Sequence, residues 1–252
     1  MALEKVKSIL VSQPEPKAEN SPYFDLQNKH KIKVDFRPFI HVEGATAKDV
    51  RSQKIDLNNF SAIILTSRNA IDHFFRVAEE MRYKVPEDLK YFCQSEAIAF
   101  YLQKYVVYRK RKIYVGQKEF ADLAPLIKKY KTEKFLLPAS DQLNFDIPQT
   151  LDSLGVNWTN GVFYKTVMSD LSDLKDVYYD ILAFFSPTGI KSLFKNFPDF
   201  KQNNTRIAVF GPTTLKEAEE HGLRIDIFAP TPETPSMTMA LEKYVTAANK
   251  GK

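Results

Sequence analysis

The sequence predicts an α/β protein of two similar parallel-sheet domains, one inserted in the other and joined by a two-stranded β ladder. Three observations carry that expectation. Apolar runs of strand length alternate with helix-period segments along most of the chain. A short module occurs twice, as Ile63-Ile64-Leu65-Thr66-Ser67-Arg68-Asn69-Ala70-Ile71 and as Ala183-Phe184-Phe185-Ser186-Pro187-Thr188-Gly189-Ile190, with Ser67 and Ser186 119 residues apart. A second pair, Phe92-Cys93-Gln94-Ser95-Glu96-Ala97 and Phe210-Gly211-Pro212-Thr213-Thr214-Leu215, keeps nearly the same offset, 118 between Cys93 and Gly211.

The first strand is expected at 8–11, a buried apolar run ending in Ser12-Gln13-Pro14-Glu15-Pro16, where the prolines exclude a helix. A helix is expected near 23–28. Residues 31–40 alternate charged and apolar (Ile32, Val34, Phe36), the period of a strand, with Pro38 interrupting it. Strand and helix then follow in pairs: 62–65 with 70–81, 91–93 with 97–104, 112–115 with 120–130, and 134–137 with 147–154. Gly155 closes the last of these helices as a C′ residue. Residues 162–167 are again extended. After a polar linker at 168–176 come strand 181–185 with helix 190–197, strand 207–210 with helix 213–221 ended by Gly222, and strand 225–228. Residues 230–235 form a proline-rich loop, and the final helix over 236–247 takes Ser236 as its N-cap.

Alternating strands and helices of these lengths argue for parallel sheets covered on both faces. The N-terminal strand has too few partners before residue 40, and the C-terminal third has too few strands for a domain. Joining 1–36 to 167–252 repairs both deficits and leaves 39–164 as the inserted domain. The extended segments 33–39 and 161–167 are then the crossover strands, and a cleft between the two domains is the expected binding place.

Composition narrows the class. The chain has 252 residues, 44% apolar, with a formal net charge of +5. No stretch reaches the ~20 apolar residues of a membrane span. The charged start, Met1 to Lys7, lacks a secretory apolar region, so a cytoplasmic location is expected, and nothing in the sequence demands more than a monomer. The single cysteine, Cys93, excludes an intrachain disulfide and reads as buried. His30, His41, His73 and His221 have no ligand spacing, so no metal is expected. The run Arg109-Lys110-Arg111-Lys112 reads as a solvated strand edge or loop. No aromatic interleaving accompanies it, so no nucleic-acid partner is expected.

Ligands of open parallel sheets bind beyond the carboxyl ends of the strands. Those ends carry Ser12; Thr66, Ser67 and Asn69; Gln94 and Ser95; Ala139, Ser140 and Asp141; Ser186, Thr188 and Gly189; and Thr213 with Thr214. Nearly all offer a hydroxyl, and several open a helix, where free N–H groups attract carboxylates and phosphates. Singly, each reads as an ordinary N-cap; as a duplicated set they read as a cradle for a polyanion. Gly-rich phosphate loops and a hydrolase nucleophile elbow are absent from the sequence, so no cofactor is expected.

These segments, in this order, resemble the uroporphyrinogen-III synthase family across nearly the whole chain. The marks are Ile9-Leu10-Val11-Ser12-Gln13-Pro14, Leu65-Thr66-Ser67-Arg68-Asn69-Ala70-Ile71, Leu154-Gly155-Val156 and Val162-Phe163-Tyr164-Lys165-Thr166. Phe185-Ser186-Pro187-Thr188-Gly189, Phe210-Gly211-Pro212-Thr213-Thr214 and Pro230-Thr231-Pro232-Glu233-Thr234-Pro235 complete the set. The resemblance implies a lyase of heme biosynthesis that cyclises hydroxymethylbilane, with ring D inverted and water lost. It implies Tyr164 as the acid assisting departure of the hydroxyl, and a transient encounter with the upstream hydroxymethylbilane synthase. Two departures stand out. Gln13 replaces a frequent arginine, and Cys93-Gln94-Ser95-Glu96 replaces a segment that often holds glycine and threonine. Those departures motivate an alternative, a non-catalytic tetrapyrrole- or anion-binding regulatory protein of the same fold.

Overall fold

The structure is a computed structural model that describes residues 4–250. The chain forms two compact units, one comprising everything up to His41 and from Val167 onward, the other Val42–Thr166.

The first unit opens with β1 (Ser8–Val11), α1 (Pro22–His30) and β2 (Lys33–Phe36). The second contains β3 (Ile40–Gly44), α2 (Ala47–Ser52), β4 (Ala62–Leu65), α3 (Arg68–Glu80), β5 (Lys90–Cys93) and α4 (Glu96–Leu102). It continues with β6 (Ile113–Val115), α5 (Ala124–Lys129), β7 (Lys134–Ser140), α6 (Asp146–Ser153) and β8 (Asn157–Met168). The divisions between the units fall inside β3 and β8. The chain then completes the first unit with β9 (Ile181–Phe184), α7 (Pro187–Asn196), β10 (Arg206–Phe210), α8 (Pro212–Glu220), β11 (Ile225–Ala229) and α9 (Met237–Asn249).

In the first unit the strand order is β11-β10-β9-β1-β2, with every pairing parallel. Strand residues alternate between two cores, as period-2 geometry requires. Ile9 and Val11 pack with Leu26 of α1 and Leu241 and Val245 of α9. Leu10 packs with Ile190 and Leu193 of α7 and Ala218 of α8. Both faces are therefore covered, which explains why these strands read as unbroken apolar runs.

The second unit is ordered β3-β8-β7-β4-β5-β6, and the pairings from β8 through β6 are parallel. Ile63 and Leu65 join Ile71 and Phe74 of α3 and Leu102 of α4. On the other face, Ile64 and Phe92 join Ile127 of α5 and Leu151 of α6. Phe74 and Phe92 are both fully buried, and each such side chain stabilises the fold by about 1.5–3 kcal/mol. The mixed α/β class with two mainly parallel sheets is as the sequence predicts.

Four local differences stand out. Residues 40–61 contain a strand and a short helix that periodicity does not show, because β3 is half-buried at Ile40 and exposed from His41 on, while α2 has only six residues. The expected helix over 120–130 begins as a 3-10 turn at Phe120–Leu123 and becomes α-helical around Pro125, a residue suited to a first turn. β7 runs on through Pro138 to Ser140. Its ladder with β4 covers only Phe135 and Leu136, so the proline lies beyond it. β8 starts five residues earlier than the extended segment expected at 162–167.

Candidate functional site

In the second unit the strand order reverses between β4 and β7, the switch point at which such sheets bind ligands. Ser67 follows β4 directly and N-caps α3, its Oγ accepting the Ala70 N–H at 3.0 Å. Tyr164 arrives there from β8. Its hydroxyl lies 3.1 Å from Ser67 Oγ, and the residue is only 8% exposed.

A bulge sets the direction of Tyr164. Ala139 pairs with Val162, but Ser140 pairs with Tyr164, so β8 carries Phe163 as an extra residue. Adjacent strand residues normally face opposite ways, yet Phe163 and Tyr164 both pack into the core beneath α3. Gly161 makes room for the bulge, since a Cβ there would come within 2.6 Å of the Phe163 ring and 2.8 Å of Ile55. The Asp141 N–H donates to the Tyr164 carbonyl at 3.2 Å and holds the rim of the bulge.

The remaining expected residues of this unit are placed differently. Asn69 is exposed in the first turn of α3. Ser95 N-caps α4 without a side-chain hydrogen bond, which leaves its half-buried hydroxyl unengaged by the helix. Ser140 is spent locally, donating to the Gln142 carbonyl at 3.0 Å and accepting the Gln142 N–H at 3.2 Å. Glu96 is exposed at the start of α4. Cys93 is fully buried, and burial pushes its thiol up to about 12.

In the first unit the switch point lies between β1 and β9. Ser12 sits there, tied by its N–H to the Ala183 carbonyl at 3.0 Å. Ser186 N-caps α7, its Oγ accepting the Gly189 N–H at 3.2 Å. A Cβ on Gly189 would stand 3.5 Å from Ser186 Oγ and 3.9 Å from Ser12 Oγ, so these three expected residues converge on one small space. Those are ordinary contacts, and packing alone does not demand glycine there.

Beside them α8 starts from Gly211, whose φ of 85° and ψ of 154° belong to a region open only to glycine. Gly211 has no side chain to cap α8, so no cap blocks the amides that follow Pro212. Thr213 is exposed in that first turn and Thr188 half-buried in the first turn of α7. Thr214 is 1% exposed, so its hydroxyl belongs to the interior. Gln13 is exposed just after β1.

Two residues near Tyr164 and Ser67 escape a reading of strand ends. Arg68 opens α3, its guanidinium 5.4 Å from the centre of the Tyr101 ring. His73 lies stacked on Tyr164, with ring centres 5.3 Å apart and planes 22° from parallel. Arg68 stands inside the duplicated module, so its charge was a visible signal. His73 had none, because its contact depends on the bulge in β8.

Both units thus define a doubly wound α/β protein with its polar side chains gathered at strand carboxyl ends and helix starts. The chain belongs to the uroporphyrinogen-III synthase family: the family described as uroporphyrinogen-III synthase HemD matches residues 25–239. It is 24% identical over 252 residues to the uroporphyrinogen-III synthase of Chlorobaculum parvum, covering 94% of this chain and 98% of that protein. It is 29% identical over 139 residues to the enzyme of that name from Saccharomyces cerevisiae, covering 49% of this chain and about half, 50%, of the yeast protein. Among solved structures, uroporphyrinogen-III synthetase from Helicobacter pylori matches with a TM-score of 0.61 at 18% identity, over 95% of this chain and 99% of that one. A mutant uroporphyrinogen III synthase from Thermus thermophilus matches with a TM-score of 0.53 at 13% identity, over 97% and 100%. Among the described residues no helix is long and apolar enough to cross a membrane.

Proposed function

We propose that this protein is a lyase that converts hydroxymethylbilane to uroporphyrinogen III, inverting ring D and releasing water. Family membership supports the reaction, and the Tyr164–Ser67 pair at a switch point is the observation that carries the chemistry. The substrate bears acetate and propionate chains on every ring. Hydroxyls at Ser12, Ser186 and Thr213, with the space over Gly189, in one unit, and the Asn69 carboxamide and Ser95 hydroxyl in the other, suit those carboxylates.

The linear tetrapyrrole expels its terminal hydroxyl to leave an azafulvene cation. Ser67 Oγ already accepts the Ala70 N–H, and its own proton is free to go to Tyr164. Tyr164 then keeps its phenolic proton for the departing hydroxyl, which leaves as water, and Ser67 stabilises the phenolate formed. Attack by the substituted junction carbon of ring D gives a spiro intermediate, whose reopening and closure invert the ring. The closing pyrrole carbon releases one proton, which restores Tyr164. Folding the chain so that the junction carbon is the one attacked is a matter of proximity and orientation.

The protein works as a monomer in the cytoplasm and receives its unstable substrate in a transient encounter with hydroxymethylbilane synthase. A single buried cysteine suits a reducing compartment. The experiment is a coupled assay in which hydroxymethylbilane is generated in situ and the uroporphyrinogen isomers are separated after oxidation. Isomer III above the protein-free control supports the reading. Isomer I alone, from a folded sample, overturns it and leaves a protein that binds without steering closure.

A further inference from the structure

His73 stands six residues beyond Ser67 on the same helix, and its ring is the surface against which Tyr164 packs. Arg76 fixes that ring. The Arg76 Nε–H donates to His73 Nδ1 at 3.3 Å, which places the ring proton on Nε2. Arg76 is itself held by the Ala45 carbonyl at 2.5 Å and by Glu80. Gly44 of β3 gives both side chains their room, since a Cβ there would lie 2.5 Å from Arg76 Nη2 and 2.7 Å from His73 Nδ1. One helix therefore supplies the hydroxyl that meets the end of Tyr164 and the plate that lies along its ring.

We propose that His73 is a positioning residue for Tyr164, a flat ring locked by Arg76 that holds the phenol against Ser67. This rests on the reading of Tyr164 as the acid of the reaction. A phenol free to tilt would lose its alignment both with Ser67 and with the departing hydroxyl. Burial, and next the Arg76 charge, hold the His73 pKa below its ordinary value, while Asp72 pulls the other way. The ring is thereby biased toward its neutral form beside a site where a cation develops.

The test is steady-state kinetics on hydroxymethylbilane for His73→Ala, His73→Phe, Tyr164→Phe and the double variant His73→Ala/Tyr164→Phe, with unfolding midpoints measured alongside. His73→Ala is expected to lower kcat by about 10- to 100-fold with KM little changed, the scale of a misplaced reacting group. His73→Phe, which restores a flat ring, should recover most of that loss. In the Tyr164→Phe background His73→Ala should cost nothing further, because its effect runs through the phenol. Wild-type kcat in His73→Ala, or an equal cost in both backgrounds, overturns the inference while leaving Tyr164 in place. Wild-type turnover in Tyr164→Phe overturns the reading of Tyr164 and this inference with it. If the alanine variant fails to fold, His73→Leu fills the volume without a flat ring and takes its place in both backgrounds.

Discussion

The Tyr164 hydroxyl lies 3.1 Å from Ser67 Oγ, although 97 residues separate them. The contact exists because a helix cap and a strand bulge converge. Ser67 must stand at the start of α3 to accept the Ala70 N–H, and Phe163 must be an extra residue in β8 for Tyr164 to turn toward it. Each device has its own structural purpose, and their meeting places two hydroxyls side by side at a switch point.

Replacing Tyr164 by Phe removes the proton and keeps the ring packed. Turnover should fall by about 10²–10⁴-fold, the range for a positioned acid, with the unfolding midpoint little changed. Ser67→Ala should both slow turnover and lose a helix cap, lowering stability by about 1 kcal/mol. Ser67→Thr keeps a hydroxyl and should restore stability. Kinetics and urea unfolding on the same samples separate the two effects, and unchanged turnover in Tyr164→Phe would remove it from the reaction.

Gly189→Ala separates binding from folding. The added methyl meets nothing closer than 3.5 Å, and alanine favours a helix by roughly 0.5–1 kcal/mol over glycine. Stability should rise slightly. If the space shared with Ser12 and Ser186 receives a substrate carboxylate, KM should rise at the same time. A stabler variant with unaltered KM would show that the space is unused.

Gly211→Ala should behave in the opposite way. Its φ of 85° with ψ of 154° strains any side chain, at a cost of about 1–3 kcal/mol. A lower midpoint in thermal or urea unfolding is the expected outcome. No change would mean that α8 can start from another backbone conformation.

Arg68 is the cation nearest to Ser67 in the chain and is exposed. As a partner for a substrate carboxylate in solvent it is worth about 0.2–1 kcal/mol, so Arg68→Gln should raise KM by roughly 1.5- to 5-fold and leave kcat intact. Added salt should raise the wild-type KM toward that of the variant. A variant whose KM matches the wild type at low salt would exclude the contact.

The strands were legible because both faces of each sheet are covered, so β1, β4, β9 and β10 appear as apolar runs. Their ends were legible because hydroxyl residues that cap helices must follow them. Ser67 and Ser186 could be picked out on those grounds alone. Side-chain direction was not legible. Thr214 shares the hydroxyl of Thr213 but turns inward, and Ser140 spends its hydroxyl on its own turn. His73 resembled any half-buried helical histidine, since its partner is set by a one-residue bulge that sequence period cannot register.

The last prediction concerns acid. His73 carries a pKa below its ordinary value of 6.5, chiefly through burial and then the Arg76 charge, with Asp72 opposing. Asp72 and Arg76 flank it on α3, the Tyr164 phenol faces it from β8, and Gly44 of β3 lies against it, with the Ala45 carbonyl holding Arg76. As pH falls through 6.5 the unfolded chain takes up a proton at this ring before the folded protein does. Acid therefore favours unfolding from that point, until the folded-state pKa is passed and both forms are charged. His73→Phe cannot take up the proton, so its midpoint should fall less than that of the wild type between about pH 7 and pH 5. Carboxylates that titrate at lower pH are common to both proteins and cancel in the comparison. Parallel curves for the two proteins across that window would mean that His73 titrates alike in the folded and unfolded chain.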